Sequence, residues 1–425
     1  MVIIEVGIRL EVEMQMDERI WEQLLDIQSK GQFVFYFVGG CVRDLCYGIH
    51  SRDIDIVFEG DAVELFELLS SEFGKKNIQK SNLDTLSIYG DYFEFDFASP
   101  RKDEYPSQNG MPKITNATVK EDLSRRDFTF NTGYMEFSDQ TIRWFKGEYP
   151  DLNQIMSKIT HAHPMFESDI QNRKLRVIHD QSFEEDPSRL LRAVKYMTFL
   201  NLELDQESEH LFKSALEERR IERLDKARYM RIIWDYIHFD HADELMNKLD
   251  GYHLLPMQHK YTDLTQRVST MRSEWQCEAI DVKVVVFVVM FQEFKEQMKT
   301  LGHLLNGIVK EMELIIEGIG GISSSDASKK RYLAYKILYN KKIESIACAN
   351  LICGDSKWID LYMTELSHVK VHLTGSDLKR IGIHEGPRIG ELKEELLIYK
   401  LYENPEMDIE GEIKWIESAK NETGN

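Results

Sequence analysis

The spacing of apolar residues divides the chain into a first part with strand and helix patterns and a second part that is almost wholly helical. In the first part, short apolar runs bounded by turn residues predict strands, and apolar positions that recur at helical spacing predict helices. The predicted strands are 33–38, 53–58, 86–89 and 92–98. The predicted helices are 17–29 and 62–71. These elements predict a small N-terminal domain, residues 1–140, built on a mixed sheet, with a tight turn at Gly39-Gly40 after the first strand.

Helical periods dominate the chain after about residue 151. Clear helical segments are 189–200, 210–215 and 223–237, and more helices follow from residue 281 onward. The most apolar run, 284–291, is far too short to span a bilayer, so we expect a buried element and no membrane partner. The Gly- and Ser-rich stretch 318–325 is the best candidate for an internal linker. The predicted fold class is therefore α+β, a mixed-sheet domain followed by all-α domains.

Length and composition fit a folded chain of several modules. A chain of 425 residues is too long for one ordinary core, and 42% of its residues are hydrophobic. The formal charge of −20 argues mildly against a nucleic-acid partner, although binding needs only a local basic face. The five cysteines have no disulfide or zinc spacing, and the N-terminal residues contain no signal-peptide core. We therefore expect a reducing, cytoplasmic location.

A carboxylate pair follows the glycine turn. Residues two apart on a strand point to the same face, so Asp53 and Asp55 converge. Two close carboxylates repel unless a cation neutralises them, and hard oxygen ligands suit Mg²⁺, which acts in pairs in many phosphoryl-transfer sites. Asp96 is the predicted third carboxylate and Glu94 is its rival, since both lie on one face of the alternating stretch 93–97. The competing interpretation of either pair is a solvated strand face.

Phosphate contacts are predicted at two places in the first domain. Gly39 and Gly40 let backbone amides approach an anion closely, and Arg43 adds a charge-assisted contact. The arginine pair Arg125 and Arg126 suits a triphosphate. The competing interpretations are a simple turn and a structural salt bridge.

The residue after the arginine pair is a candidate for sugar recognition. Asp127 can accept a hydrogen bond from a ribose hydroxyl, and Asn131 would share its helical face four residues later. A capping role is the alternative.

Base recognition is predicted at the start of the helix 189–200. Asp186 and Arg189 are three residues apart and would lie on the same side. An aspartate can accept from an exocyclic amino group and an arginine can donate to a ring acceptor, so the pair could read cytosine and adenine and reject uracil and guanine. Glu185 would orient Arg189, and Arg192 would reach a phosphate. The alternative is a common ion pair at a helix start.

In order and spacing, four motifs resemble those of the class II tRNA nucleotidyltransferases, which are the bacterial CCA-adding enzymes and bacterial-type poly(A) polymerases of the polymerase β-like superfamily. The motifs are Gly39-Gly40-Cys41-Val42-Arg43-Asp44, Arg52-Asp53-Ile54-Asp55-Ile56-Val57, Arg125-Arg126-Asp127-Phe128-Thr129-Phe130-Asn131 and Glu185-Asp186-Pro187-Ser188-Arg189-Leu190-Leu191-Arg192. The stretches 373–378 and 386–390 resemble the tail of the CCA-adding enzymes, which favours a tRNA substrate.

The resemblance implies a nucleotidyltransferase head (1–140), a neck that recognises the base (141–222), a helical body (223–325) and a tRNA-binding helical tail (326–425). It implies that Asp53 and Asp55 hold Mg²⁺. Contacts to the nucleotide are implied for Gly39, Gly40, Arg43, Arg126, Asp127, Asp186, Arg189 and Arg192. The implied activity is the addition of C and A, all or part of CCA, to the 3′ end of tRNA from CTP and ATP, with release of pyrophosphate.

Alternatives to this activity stay open. Within the family, the chain can add only CC, only A, or a poly(A) tail. From another class, it can be an inert RNA- or nucleotide-binding protein, although the intact Asp53, Asp55 and Asp127 argue against that. The oligomeric state is not predicted.

Three positions depart from the family pattern. Lys195 stands where the family often has arginine, and Ala227 replaces the usual glutamate. The loop between Arg101 and Asp122 lacks the Asp-x-x-Arg element of many CCA-adding enzymes. Its Gly110-Met111-Pro112 is closer to relatives that include A-adding enzymes.

A basic surface on the helical part is expected to bind tRNA, so that binding weakens with salt. The candidates are Arg219, Arg220, Arg223, Lys226, Arg228, Arg231, Lys329, Lys330 and Arg331. A solvated helix face is the alternative for each of them.

Overall fold

The computed structural model describes residues 15–80, 85–104, 113–256, 260–299, 301–322, 324–354, 356–383 and 386–422. The chain forms two compact units, Met1–Leu224 (unit 1) and Asp225–Asn425 (unit 2). The division into head, neck, body and tail is finer than these units and stays a prediction. The stretch Gly110-Met111-Pro112 lies outside the described residues.

Unit 1 contains all the described strands. They are β1 (Val34–Val38), β2 (Asp53–Glu59), β3 (Ile78–Lys80), β4 (Thr85–Tyr89), β5 (Glu94–Ala98), β6 (Arg101–Glu104), β7 (Lys113–Asn116), β8 (Tyr134–Glu136), β9 (Ile159–His161), β10 (Lys174–Leu175) and β11 (Glu203–Leu204). Its α-helices are α1 (Gln15–Ser29), α2 (Gly39–Cys46), α3 (Ala62–Phe73), α4 (Val119–Ser124), α5 (Asp139–Phe145), α6 (Leu152–Ser157), α7 (Phe166–Gln171), α8 (Ser182–Glu185), α9 (Ser188–Phe199) and α10 (Gln206–Glu217). The four predicted strands and the two predicted helices of this part are confirmed.

The main sheet of unit 1 is mixed, as predicted. Its seven strands lie in the order β3-β4-β5-β2-β1-β8-β9. Strands β2 and β5 are parallel, whereas β4 pairs with β5, and β1 with β2, in antiparallel fashion. The parallel pair is at the centre of the sheet and carries the predicted carboxylates.

Aromatic packing fixes which face of the sheet is covered. Trp21 of α1 packs edge to face on Phe95, with ring centroids 4.6 Å apart, and also on Phe37. Phe95 is in register with Ile54, which is fully buried. Because side chains alternate along a strand, Asp53 and Asp55 are directed to the opposite face.

The predicted tight turn at Gly39-Gly40 is instead the first turn of α2. Strand β1 ends at Val38 and the helix begins at the next residue. Gly39 has a φ of +65°, a left-handed conformation that glycine adopts without steric cost, and this lets the chain change direction within one residue. The glycine pair therefore joins a strand directly to a helix N-terminus.

Unit 2 is helical throughout its described part. Its α-helices are α11 (Lys226–Ile237), α12 (Ala242–Gly251), α13 (Tyr261–Glu274), α14 (Val282–Met290), α15 (Lys295–Met298), α16 (His303–Ile322), α17 (Lys330–Leu338), α18 (Ile343–Ile352), α19 (Lys357–Thr364), α20 (Gly375–Arg380), α21 (Pro387–Tyr402) and α22 (Ile409–Glu422). The predicted buried run is α14, whose residues 284–290 are all buried. No helix in the described ranges is long and apolar enough to cross a membrane.

The prediction of a linker at 318–325 is wrong, because helix α16 continues to Ile322. Ile315, Ile319 and Ile322 lie on one helical face and are buried, which holds the glycine-rich turn in the core. A Cβ at Gly318 would lie 3.1 Å from atoms of Ile337 in α17. Glycine is therefore used here for close packing of two helices and does not break the first of them.

Candidate active site

The predicted carboxylates lie side by side at the centre of the sheet. In the parallel register of β2 and β5, Asp55 is opposite Asp96, and Asp53 is opposite Glu94. A cleft of about 440 Å³ is lined by Asp55 and Asp96 but not by Glu94. Of the two rivals, Asp96 is therefore the one that faces the same cavity as Asp55. Ser87 of the neighbouring strand donates a hydrogen bond to Asp96.

The electrostatics of Asp55 fit a cation site. Burial raises the pKa of Asp55 to about 6; the negative charge of Asp96 acts in the same direction, and Arg126 and the Gly40 amide act against it. A nearby divalent cation would relieve this penalty, and carboxylate oxygens are the ligands that Mg²⁺ prefers. No group of three or more His, Cys, Asp or Glu side chains able to hold a metal is found within the described ranges. The carboxylates of Asp53 and Asp55 are donors of the kind that Mg²⁺ prefers. Asp53 is exposed and is not among the residues that line the cleft, so its metal role, like the third ligand, stays a prediction.

Gly39 lines the cleft next to the carboxylates, and Gly40 contacts one of them. The Gly40 amide donates to Asp55 Oδ2 at 3.2 Å. A Cβ at Gly39 would lie 3.3 Å from both Asp55 Oδ2 and Arg126 Nη1, which is tighter than ordinary side-chain contacts. The absence of a side chain therefore brings a carboxylate, a guanidinium and a helix N-terminus together around one small space.

Arg126 lines this cleft and is held in place by several contacts. Its Nε and Nη2 donate to Asp122 Oδ2 at 3.1 and 3.0 Å. Its Nη1 donates to the Asn131 carbonyl at 3.1 Å, and its guanidinium lies over the Tyr134 ring. Arg125, which lines the same cleft, donates through Nη2 to the other oxygen of Asp122 at 2.6 Å. Arg125 and Arg126 thus line the same cleft, whereas Arg43 is not among its lining residues.

A chain of polar contacts joins the next three predicted residues. Arg43 Nη1 donates to Asn131 Oδ1 at 3.1 Å, and Asn131 Nδ2 donates to Asp127 Oδ1 at 2.9 Å. Arg43 also donates to Asp44 at 2.7 Å and lies over the ring of Tyr196. Asp127 is nearly buried, which by itself raises its pKa, but Arg192 and its hydrogen bonds outweigh that effect and lower the pKa overall. The aspartate predicted to contact ribose is therefore held ionised.

Asp186 and Arg189 are not on one face of a helix as their spacing predicts. Asp186 is extended, with φ −137° and ψ 93°, because the residue before a proline disfavours the helical conformation. Its side chain accepts from the Ser188 hydroxyl at 2.6 Å and from Arg192 Nη2 at 3.2 Å. Arg192 also approaches Asp127 at 3.5 Å, so it connects the predicted ribose and base contacts.

The Arg189 side chain points inward and is 3% exposed. Its Nη1 donates to the hydroxyl and carbonyl of Ser182, at 2.6 and 3.1 Å, and its Nη2 donates to the Arg125 carbonyl at 2.9 Å. Glu185 lies 3.9 Å from Nη1, beyond hydrogen-bond distance, and pairs with His179 at 3.2 Å, so its orienting role stays a prediction. Among the described residues, the Nε of Arg189 has no hydrogen-bond partner.

Comparison with known proteins places the first domain in a family. Residues 35–157 match the model of the poly(A) polymerase head domain. The chain is 24% identical over 396 residues to an A-adding tRNA nucleotidyltransferase of Geobacter sulfurreducens, covering 86% of this chain and 43% of that protein. It is 24% identical over 383 residues to the A-adding enzyme of Halalkalibacterium halodurans, covering 88% of this chain and 86% of that protein. The chain therefore spans less than half of the first relative and most of the second.

This chain is similar to the class II tRNA nucleotidyltransferases and bacterial poly(A) polymerases, and residues 35–157 carry the match to their head domain. Its fold is similar to that of a solved CCA-adding enzyme in an apo form, with a TM-score of 0.62 over 97% of this chain and 98% of that chain at 22% identity. The head-domain match and these relatives confirm the resemblance drawn from the four motifs.

Two departures from the tRNA nucleotidyltransferase pattern have local explanations. Lys195 lies over the Tyr196 ring at 5.8 Å, and burial, together with Arg43, lowers its pKa. Ala227 is in the first turn of α11, where the Asp225 side chain caps the helix by accepting from the Arg228 amide at 2.9 Å. The helix is therefore capped without the usual glutamate.

Sequence reasoning missed the residues that hold the nucleotidyltransferase arginines. Asp122 has the detectable signal, since it lies three and four residues before Arg125 and Arg126. Tyr134 lies eight residues after Arg126 on strand β8, outside any helical spacing, and Tyr196 reaches Asn131 from 65 residues away, so neither carries such a signal.

Three of the basic side chains predicted to bind tRNA form salt bridges with acidic neighbours. Arg219 pairs with Glu222, Arg220 with Glu184 at 3.0 Å, and Arg331 with Glu365 at 3.0 Å. For these three, the salt bridges fit the alternative of a solvated helix face as well as they fit RNA binding.

Proposed function

We propose that this chain adds nucleotides to the 3′ end of tRNA from CTP or ATP, without a template, and so makes all or part of the CCA end. The observation that carries the proposal is the single cleft in which Gly39, Asp55, Asp96 and Arg126 meet. A carboxylate pair beside a guanidinium and a helix N-terminus is what transfer of a nucleotidyl group requires, since charge must be managed at both the α-phosphate and the leaving pyrophosphate.

In the proposed reaction, the 3′-hydroxyl oxygen of tRNA bonds to the α-phosphorus of the nucleotide. The bond from that phosphorus to the bridging oxygen breaks, pyrophosphate leaves with the electron pair, and the hydroxyl proton is released to solvent. When bound at Asp53 and Asp55, Mg²⁺ supplies positive charge for the reacting phosphate. Arg126 and the α2 N-terminus hold the triphosphate, which keeps the leaving group in line.

The other predicted residues serve recognition in this proposal. Asp127, held ionised by Arg192, accepts from the ribose hydroxyl. Asp186 and Arg189 read the base from the start of α9, and reading requires the Arg189 guanidinium to leave or share its contacts with Ser182. Addition of A is supported by the two A-adding relatives, and addition of C rests on the donor and acceptor pattern shared by cytosine and adenine.

The test uses the pure protein with Mg²⁺ and three tRNA transcripts that end at the discriminator base, after one C, or after two C residues. Each transcript meets CTP, ATP or both. Stepwise growth of the shortest transcript by C, C and A supports the full reaction, and growth only of the last transcript by a single A supports the A-adding form. CC-only growth or a long A tail identifies another family activity, and no growth on any transcript identifies the inert alternative.

The carboxylates are tested with Asp55→Asn. Addition should fall by about a thousandfold or more, because the charge that stabilises the transition state is lost. Asp61→Asn is the control, since Asp61 caps α3 in the same unit and asparagine also caps well. Equal loss in both variants, or full activity of Asp55→Asn, would remove the basis for the assigned role.

A further inference from the structure

Asp122 is a completely buried carboxylate at the end of α4, and it accepts hydrogen bonds from four different residues. Oδ1 accepts from Arg125 at 2.6 and 2.9 Å and from the Arg101 amide at 3.1 Å. Oδ2 accepts from Arg126 at 3.0 and 3.1 Å and from the Tyr134 hydroxyl. Both oxygens are thus fully used, and neither is directed at the cleft.

The groups that Asp122 holds have separate tasks in the proposed site. Arg125 and Arg126 line the cleft next to Asp55. The Arg125 carbonyl accepts a hydrogen bond from Arg189 Nη2 at 2.9 Å. The Arg189 guanidinium, which reads the base in the proposed function, is therefore held in part by the backbone of a residue that Asp122 fixes.

A single carboxylate between two guanidiniums has a clear physical effect. Without it, two adjacent arginines would repel and adopt several rotamers, and binding an anion would cost the entropy of ordering them. With the Asp122 carboxylate in place, both guanidinium groups are fixed before substrate binds, and such preorganisation is what makes an electrostatic site effective. The lowered pKa of Asp122, where Arg126 and Arg125 outweigh the effect of burial, keeps this anchor charged.

We propose that Asp122 is a positioning residue, which fixes Arg125 and Arg126 toward the nucleotide triphosphate and, through the Arg125 backbone, fixes Arg189. The proposal rests on the proposed function for the identity of the ligand. The fixed geometry itself does not depend on any ligand.

The test compares wild type with Asp122→Asn, with Tyr134→Phe as a milder variant and Asp205→Asn as the matched control. Asp205 is a buried carboxylate of the same unit that pairs with Arg176 at 2.6 Å, away from the cleft. The first readout needs no substrate: the rate at which phenylglyoxal modifies Arg125 and Arg126, mapped by mass spectrometry of peptides. The second is the affinity for ATP and for CTP without RNA, and the third is KM and kcat for addition.

In the Asp122→Asn protein, phenylglyoxal should modify Arg125 and Arg126 about tenfold faster than in wild type. This protein should also bind ATP and CTP about tenfold more weakly, because a charged hydrogen-bond acceptor is replaced by a neutral one. ATP and CTP should be affected equally because the triphosphate is common to both, and KM should change more than kcat. Tyr134→Phe should change each readout by about twofold to threefold in the same direction, because Asp122 keeps its charge. Asp205→Asn should leave all three unchanged.

Two results would overturn the proposal. Unchanged protection of both arginines in Asp122→Asn would show that the carboxylate does not position them. Faster modification with unchanged ATP affinity would show that the arginines do not contact the triphosphate. If the wild-type protein adds no nucleotide to any transcript, the proposed function fails, while the arginine-modification rates still decide the positioning role.

Discussion

Exchange of Asp127 for asparagine should destabilise unit 1 in a way that depends on pH. Asp127 Oδ1 accepts from the Phe128 amide at 2.8 Å and from Asn131 Nδ2 at 2.9 Å, and Oδ2 faces Arg192 at 3.5 Å. An asparagine carbonyl can replace Oδ1 for the two donors. Its NH₂ group must then face Arg192, so an attraction between opposite charges becomes a contact between two donors.

The expected cost at neutral pH follows from these contacts. Hydrogen bonds to a charged group are worth about 1.5–3 kcal/mol, compared with about 1 kcal/mol for neutral ones, so two bonds to a neutral oxygen lose about 1–4 kcal/mol in total. The Arg192 side chain is 34% exposed, so its ion pair is partly screened and contributes about 0.5–1 kcal/mol. The free energy of unfolding of unit 1 should therefore fall by about 1.5–5 kcal/mol at pH 7.

The pH dependence separates loss of charge from loss of packing. The folded pKa of Asp127 is lowered, so its stabilising contribution is present above the unfolded pKa of about 3.9 and is lost as the pH falls through the folded value. Below that point Asp127 is neutral, like asparagine. The difference between the two proteins should be largest at pH 7 and should shrink steadily in the acid range below about pH 4.

The assay should report on unit 1 alone, because a chain with two units need not unfold in one step. Urea unfolding read by pulsed hydrogen exchange of peptides from β1, β2 and β5 meets this need. A difference of the same size at pH 7 and at pH 3.5 would refute the electrostatic reasoning and point to packing. No difference at pH 7 would show that the Arg192 and Asn131 contacts do not stabilise the unit.

Two more substitutions test the recognition geometry. Gly39→Ala should lower the rate of nucleotide addition by about tenfold or more, because its Cβ would lie 3.3 Å from atoms of Asp55 and Arg126. Gly48→Ala is the control: Gly48 has a similar φ of +70° but nothing within 4 Å of the added Cβ, so only the backbone strain of about 1 kcal/mol is expected. Equal effects of the two variants on addition would mean that the cleft wall is unimportant. Arg189→Met should destabilise unit 1, by about 1–3 kcal/mol for each buried acceptor at Ser182 and Arg125 that loses its donor. It should also abolish discrimination against UTP and GTP, measured as the ratio of addition rates with single nucleotides, which does not depend on the folded fraction. Retained discrimination would remove Arg189 from base reading.

The sequence predicts the central sheet and its carboxylates because both follow from a period of two residues. Asp53 and Asp55 share a face by that period alone. The identity of the third carboxylate depends on the register between β2 and β5, which are separated by a helix and two strands, and local spacing carries no information on that register. The structure adds that Asp96, and not Glu94, lines the cleft with Asp55.

The two residues predicted to read the base, Asp186 and Arg189, show where spacing misleads. A separation of three residues places two side chains on one face only if both residues are helical. Pro187 keeps Asp186 out of the helix, because the residue before a proline disfavours the helical conformation. The cost of burying the Arg189 guanidinium is offset by hydrogen bonds to Ser182, seven residues away, and to the Arg125 carbonyl, 64 residues away. The first effect is readable from the proline in the sequence, whereas the second is a tertiary contact that the sequence does not reveal.

The arginines of this site are held by carboxylates of the same unit, and this bears on how an acidic protein can bind nucleotides. Asp122 holds Arg125 and Arg126, Asp44 holds Arg43, and Asp127 with Asp186 holds Arg192. These carboxylates therefore orient arginine side chains. For this reason the net negative charge of the protein does not predict the electrostatic potential that a phosphate would meet in the cleft. In the proposed function, a set of donors fixed at defined positions attracts the triphosphate, and such donors stabilise charge without reorganising when it develops. A binding site of this kind depends on the geometry of its guanidinium forks more than on net charge, because only a planar fork can serve an internal carboxylate and a substrate oxygen at once.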